Sequence, residues 1–176
     1  MESIIRQAEP ADRAVIERIV HDAYIRYVSR IGRMPAPMND DYQLRIAEGV
    51  VRVLTIQDEI AGLVVLLPKA DYLLLDNVAV APERQGSGLR RRMIVFAEAE
   101  ALRLGYPEIR LYTNAAMHEN LSIYTKLGYQ EFARVQEDGF HRVFMRKRLA
   151  ELAPFPQPAP ISAAPARPVR SFPRSH

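Results

Sequence analysis

The chain has 176 residues, enough for one domain with a buried core and too few for two. It has no cysteine, which excludes disulfide frameworks, thiolate metal sites and a cysteine nucleophile, and His21, His118, His141 and His176 are too scattered for the i, i+4 pairing of a helical metal site, so no metal is expected. The net charge of +3 comes from the C-terminal stretch: residues 154–176 hold three arginines and no acid, and without them 21 basic residues face 21 acidic ones, a balance that leaves the rest no global field for nucleic acid.

The N-terminal MESIIRQAEP lacks the charged-then-apolar pattern of a secretion signal, and the longest apolar run, IAGLVVLLP, falls well short of the ~20 residues that span a bilayer, so a cytoplasmic protein without membrane contact is expected. SIIRQA reads as a short strand. Pro10 and Asp12 then open a helix with Ala14, Val15, Ile19, Ala23 and Tyr27 at helical spacing. The stretch SRIGRMPAPMNDD, with two prolines and a glycine, reads as loop, followed by a short helix over Tyr42 to Ala47. VVRVLTIQ, a turn at DE and IAGLVVLLP form a hairpin, and YLLLDNVAV is a third, largely buried strand.

After the glycine-containing stretch VAPERQGSGLRRRM, an apolar stripe of Leu89, Met93, Phe96, Ala97, Ala101 and Leu104 predicts a helix that Gly105 and Pro107 end. EIRLYT is again a strand. From Met117 to Leu127 a helix carries Met117, Asn120, Leu121 and Tyr124 near one face, and YQEFARV and HRVFMRKRL close as antiparallel strands through EDG. The order implies an α+β fold: a mixed, mainly antiparallel sheet flanked by helices on both faces. Residues 1–153 are expected to form this one domain, and 154–176, with seven of the thirteen prolines, a disordered tail whose PARP fits the spacing of a docking ligand as well as a plain solvated extension.

QGSGLRRRM invites comparison with two phosphate loops. A dinucleotide fingerprint needs a third glycine where Arg91 stands, and a P-loop needs a Gly-Lys-Ser/Thr, so neither fits. What remains is that Gly86, Ser87 and Gly88 let a ligand approach the main chain where a helix starts, with unpaired N–H groups and partial positive charge. An ordinary tight turn has the same composition.

The span from DNVAVAP through QGSGL to ENLSIYTKLGY resembles the GNAT superfamily of acetyl-CoA-dependent N-acetyltransferases. The family shows Q/R-x-x-G-x-G/A after its fourth strand and a Tyr followed closely by G-F/Y in its last helix. Gln85, Gly86, Ser87, Gly88 and Leu89 match the first, and Tyr124, Gly128 and Tyr129 the second. The resemblance implies that acetyl-CoA is the co-substrate, with the loop amides on its pyrophosphate. Arg90 departs from the family's final Gly or Ala: turned outward with Arg91 and Arg92 it would grip phosphate or merely solvate a helix face, and turned inward it would block the pyrophosphate.

Acetyl transfer to an amine asks for a base, an oxyanion donor and a proton for the departing thiolate. The resemblance implies Tyr124 as the leaving-group acid, the Val78 amide as oxyanion donor, and the main chain of Val78, Ala79 and Val80 along the pantetheine arm. Asp76 and Asn77 are poor strand formers inside an apolar strand; the resemblance makes Asp76 the candidate base, against an Asp that satisfies a bulge, with His118 and Glu119 as alternates. Met117 holds the place of a family Asn, whose contact with pantetheine would pass to Asn120. The acceptor is expected to be a small-molecule or peptide amine, bordered by the loop before Tyr42, where Met34 and Met38 offer an apolar wall and Asp40 and Asp41 either attract the amine or cap a helix. A homodimer is left open. The runner-up is a non-catalytic acyl-CoA-binding regulatory module; nucleic-acid binding is disfavoured, since aromatic and basic residues are not interleaved along the chain.

Overall fold

The computed structural model describes residues 2–149, so the expected tail and residues 150–153 lie outside the described residues. Strand β1 (Ser3–Gln7) leads into helix α1 (Arg13–Tyr24), the four-residue α2 (Val28–Ile31) and α3 (Tyr42–Ala47). Strands β2 (Val51–Ile56), β3 (Glu59–Pro68) and β4 (Leu73–Val80) follow, then helix α4 (Leu89–Arg103) and β5 (Glu108–Asn114). Helix α5 (His118–Lys126), β6 (Gln130–Glu137) and β7 (Phe140–Arg148) complete the domain. The strands make one seven-stranded sheet in the order β1-β2-β3-β4-β5-β7-β6. Every neighbouring pair is antiparallel except β4 and β5, whose connection through α4 is the crossover that parallel pairing requires.

Helices cover both faces, as the element order predicts. On one face Met93, Ile94, Ala97 and Ala101 of α4, with Tyr124 of α5, pack on Leu73, Leu75, Val78 and Val80 of β4 and on Ile109 and Leu111 of β5. On the other, Ile16, Ile19 and Val20 of α1 and Tyr42 and Ile46 of α3 pack on Val51, Val53, Leu63, Val65 and Ala79. β4 sends odd residues into the first core before Asp76 and even ones after it. The cause is a bulge: Val65 faces Asn77 and Leu66 faces Leu75, which leaves Asp76 as the extra residue.

Several expectations shift in detail. The buried stripe of α1 is Ile16, Ile19, Val20 and Ala23, while Ala14 is exposed: the helix lies over the sheet with a different roll from the one its spacing suggested. In α4 Ile94 is buried and Leu104 is largely exposed, because Leu104 falls one residue beyond the last helical turn. The segment expected as loop contains α2 and a 3₁₀ turn over Ala36–Asn39, which starts after Pro35 where a missing N–H costs nothing. The first hairpin turns at Gln57 and Asp58, both at positive φ, one residue earlier than the expected DE.

Close packing of α4 on the sheet sets where its N-terminus points. Gly62 of β3 permits it: a Cβ there would lie 2.8 Å from the Ala79 carbonyl oxygen and 2.9 Å from Met93 Cε. Gly62→Ala is therefore expected to destabilise the fold by about 1–3 kcal/mol through overpacking, although Gly→Ala at an unstrained position stabilises. Urea unfolding of the two proteins measures the difference, and an equal or higher midpoint for the variant would contradict the packing account.

Candidate active site

The site starts from a failure of pairing. β4 and β5 are the one parallel pair among the described residues, and they run together only over Leu73–Leu75 and Ile109–Leu111. Beyond the bulge they separate. The Ala81 N–H donates to the Ala61 carbonyl on β3 at 2.9 Å. Because backbone groups alternate sides along a strand, those of Val78 and Val80 face the gap on the β5 side. Two side chains reach their carbonyls: Gln85 Nε2 donates to Val80 O at 3.2 Å, and the Tyr24 hydroxyl, whose proton goes to Asn77 Oδ1 at 2.6 Å, stands 3.4 Å from Val78 O. Ala79 points its backbone to β3 and its side chain into the α1 core.

The glycine loop closes one end of this gap. Gly86 and Gly88 have φ of +78° and +81°, the left-handed region that glycine enters without strain, and a Cβ on either would meet nothing within 4 Å. Gly88 is the N-cap of α4, and no side chain caps the helix. The free N–H groups of the first turn thus border a groove lined by Val80, Gln85, Gly86, Gly88, Arg90 and Asn120. Leu89 lines the groove too and is buried in the core. The Ser87 hydroxyl bonds the Arg84 carbonyl and so braces the loop.

The three arginines have three fates. Arg91 is exposed and lines the groove. Arg92 is tied to the hydroxyl and carbonyl of Ser3 on β1, which corrects its expected place in a phosphate grip. Arg90 reaches across from α4 to α5, where Nη1 donates to Asn120 Oδ1 at 3.1 Å, so it is neither a solvated face nor a free outward cation.

Asn120 lines both this groove and a second cavity that continues past Tyr124, Asp76 and Asn77 to Tyr112, Phe140 and Arg142. Tyr124 is buried, its ring edge-on to Tyr129 with centroids 5.8 Å apart, and burial raises its phenol pKa while the Arg90 guanidinium pulls it back. Asp76 is the extra residue of the bulge and also lines the cavity. Its Oδ1 accepts a hydrogen bond from the Tyr112 hydroxyl at 3.1 Å. Burial pushes the Asp76 carboxyl up, partly opposed by that bond, and pushes the Tyr112 phenol up to about 12, with the adjacent carboxylate adding to the rise. Asn77 is buried and satisfied: Tyr24 donates to its Oδ1 at 2.6 Å, its Nδ2 donates to the Tyr42 hydroxyl at 3.1 Å, and Tyr42 donates to the Pro37 carbonyl at 2.6 Å.

Neither alternate for the base lines the second cavity. His118 is exposed at the start of α5 and lines neither cavity. Glu119 is paired with Arg30 at 2.9 Å, and its own helix-start N–H together with Arg30 holds its carboxyl below the usual range. The acceptor loop reaches the cavity through Pro35, Ala36 and Pro37 rather than Met34 and Met38, which border a separate depression. Asp41 caps α3 by accepting from the Leu44 N–H at 3.0 Å, and Asp40 pairs with Arg45 at 3.1 Å. Tyr24, Tyr112, Phe140 and Arg142 had no signal in the sequence, because only the docking of α1 and the pairing of β5 with β7 bring them to the cavity.

Pairing also interleaves what the chain keeps apart. On the face of β5, β7 and β6 that carries Tyr112 and Phe144, Arg110 and Arg146 stack on Phe132, and Arg142 on Tyr112. Glu108 pairs with Arg110 and Arg146 and Glu137 with Arg142, so two of the three positive charges are offset and the surface is not a bare basic strip. No helix among the described residues is long and apolar enough to cross a membrane.

The acetyltransferase (GNAT) domain model matches residues 47–131, the stretch that holds the bulge, the glycine loop and α5. The PaiA N-acetyltransferase of Thermoplasma acidophilum, solved with coenzyme A, superposes with a TM-score of 0.71 at 16% identity over 84% of this chain and 99% of that one. The ribosomal-protein-S18-alanine N-acetyltransferase of Escherichia coli gives 0.68 at 19% over 84% and 94%, and a GNAT-family acetyltransferase of Listeria monocytogenes 0.66 at 23% over 85% and 96%. A comparison with curated protein sequences finds no match. At these identities the structural likeness is one of fold. Family model and fold agree over the strands that separate and the loop that closes the gap: residues 47–131 match the GNAT acetyltransferase domain, and the fold is the one GNAT acetyltransferases share.

Proposed function

We propose that the chain transfers an acetyl group from acetyl-CoA to a primary amine by direct attack, with both substrates bound at once. The observation that carries this is the unpaired edge of β4, whose main chain faces a gap ending at uncapped helix N–H groups. An arm with amide groups can complete the strand there, and a pyrophosphate suits the first turn of α4 and the open space at Gly86 and Gly88. Bound acetyl-CoA supplies the activated acyl carbon and a thiolate leaving group.

The chain's residues divide the remaining work. Asp76 Oδ2, with no hydrogen-bond partner among the described residues, takes the proton as the amine nitrogen bonds to the acyl carbon. The Val78 N–H faces the position where the acyl oxygen gains charge. Tyr124 gives its proton to the sulfur as the C–S bond breaks. Asn120 orients the arm, and Gln85, Arg90 and Arg91 border the phosphates. Arg90 favours a second reading, a binding module without turnover, because its side chain spans the groove to Asn120. Acetyl-CoA binding without thiol release on any amine would select that reading.

Three outcomes test the assignment. Acetyl-CoA at a hundredfold excess over its Kd should stabilise the protein by ~2.7 kcal/mol in thermal unfolding. Gly88→Asp should lose that shift, since Asp tolerates a left-handed backbone but sets a carboxylate against the pyrophosphate; a preserved shift would remove the loop from the site. Tyr124→Phe should keep coenzyme affinity and lose ~10²- to 10⁴-fold in turnover, and full turnover on a verified amine would make Tyr124 a core aromatic only.

A further outcome concerns pH. A carboxyl with a raised pKa is a base whose activity fades on the acid side sooner than an ordinary Asp would. The native state also holds that proton more tightly than the unfolded chain, so the linked stability is present at low pH and disappears as pH rises through the folded pKa. Asp76→Asn should therefore abolish the acid limb of the turnover profile while leaving thermal stability at neutral pH equal or higher. A stability loss with unchanged turnover would make Asp76 a bulge-satisfying residue alone.

A further inference from the structure

Resting on the acetyl-transfer reading, we infer that the acceptor carries a carboxylate as well as its amine, and that Arg142 binds that carboxylate. Asp76 on β4 and Arg142 on β7 line the same cavity, with β5 between them. Tyr112 of β5 touches both: its hydroxyl donates to Asp76 Oδ1 at 3.1 Å, and the Arg142 guanidinium lies 4.9 Å from its ring centroid. The cavity thus holds an anionic end beside the separated strands and a cationic end one ring away.

Arg142 is held in place rather than left to solvent. Its side chain is only 18% exposed, and its guanidinium stacks on the Tyr112 ring and, at 5.6 Å, on Phe140. Nη1 donates to Glu137 Oε2 at 2.7 Å, while its remaining donors have no partner among the described residues. A guanidinium offers five N–H donors in a planar fork that matches a carboxylate, so Glu137 leaves room for a second one. Glu137 is itself half exposed, the fixed partner at the rim.

The charge pattern also works against other acceptors. A second cation on the substrate would meet Arg142 inside a partly desolvated cavity, where like charges repel strongly, so polyamines fit poorly. A simple monoamine would find Asp76 but leave the free donors of Arg142 unanswered. An amine that brings its own carboxylate answers both ends. Pro35, Pro37 and Phe140 supply flat apolar walls for what lies between the two groups.

The test uses the full chain, acetyl-CoA and matched pairs that differ by one carboxylate: phenylalanine against phenethylamine, 4-(aminomethyl)benzoate against benzylamine, and spermidine as a polycation. Thiol release gives kcat/KM, and calorimetry gives affinity in the presence of coenzyme A. The acid-bearing member of at least one pair should be favoured at least tenfold, and which pair responds separates an α-amino acid from an acceptor with distant amine and acid. Arg142→Gln should shrink the preference at least tenfold, chiefly through KM, and Arg142→Lys should restore part of it. Retention of the acetyl-CoA thermal shift shows that the variants are folded. Turnover on neutral amines with no acid preference, or a preference that survives Arg142→Gln, overturns the carboxylate site and leaves acetyl transfer standing. Arg142-dependent binding of the acids without thiol release has the opposite meaning: the site stands and acetyl transfer falls. Neither binding nor release overturns both.

Discussion

The organising constraint of this molecule is the unpaired backbone of β4 in the middle of its own sheet. An edge strand at a sheet's margin can be left to water, but one between two covered faces exposes donors and acceptors in a largely apolar setting, where each unmade hydrogen bond costs ~1–3 kcal/mol. The bulge at Asp76 creates the condition, because the extra residue re-aims β4 away from β5 after Leu75. The surrounding structure then answers it with long side chains: Tyr24 from α1 and Gln85 from the loop reach the two exposed carbonyls. On the acetyl-transfer reading, a ligand that pairs as a strand takes their place.

Rigid packing turns that opening into a defined site. Met93 enters the space left by Gly62, so α4 lies close on β3 and β4 and its N-terminus is fixed at the end of the gap. On the opposite face Tyr24, Asn77, Tyr42 and the Pro37 carbonyl form a continuous hydrogen-bonded chain that fastens α1, α3 and the acceptor loop to the strand just past the bulge. A buried Asn would be a liability alone; with every member satisfied, it becomes the joint that holds the cavity's floor to its wall.

The electrostatics follow from the same burial. Desolvation raises the phenols of Tyr24, Tyr112 and Tyr124, which keeps them protonated and able to donate at neutral pH. Desolvation also raises Asp76, so the carboxylate is a stronger base than its exposed counterparts. Arg90 is the counterweight. Its charge favours the ionised form of both Tyr24 and Tyr124, and it stands at the position where the motif ordinarily has a small residue.

Much of this was legible in the sequence because it is local. Hydrophobic periodicity and turn residues depend on neighbours a few positions away, so the order of strands and helices, the glycine loop at the mouth of α4 and the shared face of Met117, Asn120 and Tyr124 could be read directly. Asp76 was conspicuous as a poor strand former, and the bulge explains why it is there. The roll of α1 escaped, since it is set by how the helix meets the sheet. So did the paths of Arg90 and Arg92, which leave one helix for Asn120 and Ser3 at long sequence separation. The cavity's Tyr24, Tyr112, Phe140 and Arg142 come from α1, β5 and β7, and neither spacing nor composition relates them. The sequence by itself determined the elements and the chemistry-bearing loop, because those are encoded in short-range pattern; only the tertiary structure decided which charges share the cavity, because strand register and helix docking are settled by packing across the whole fold.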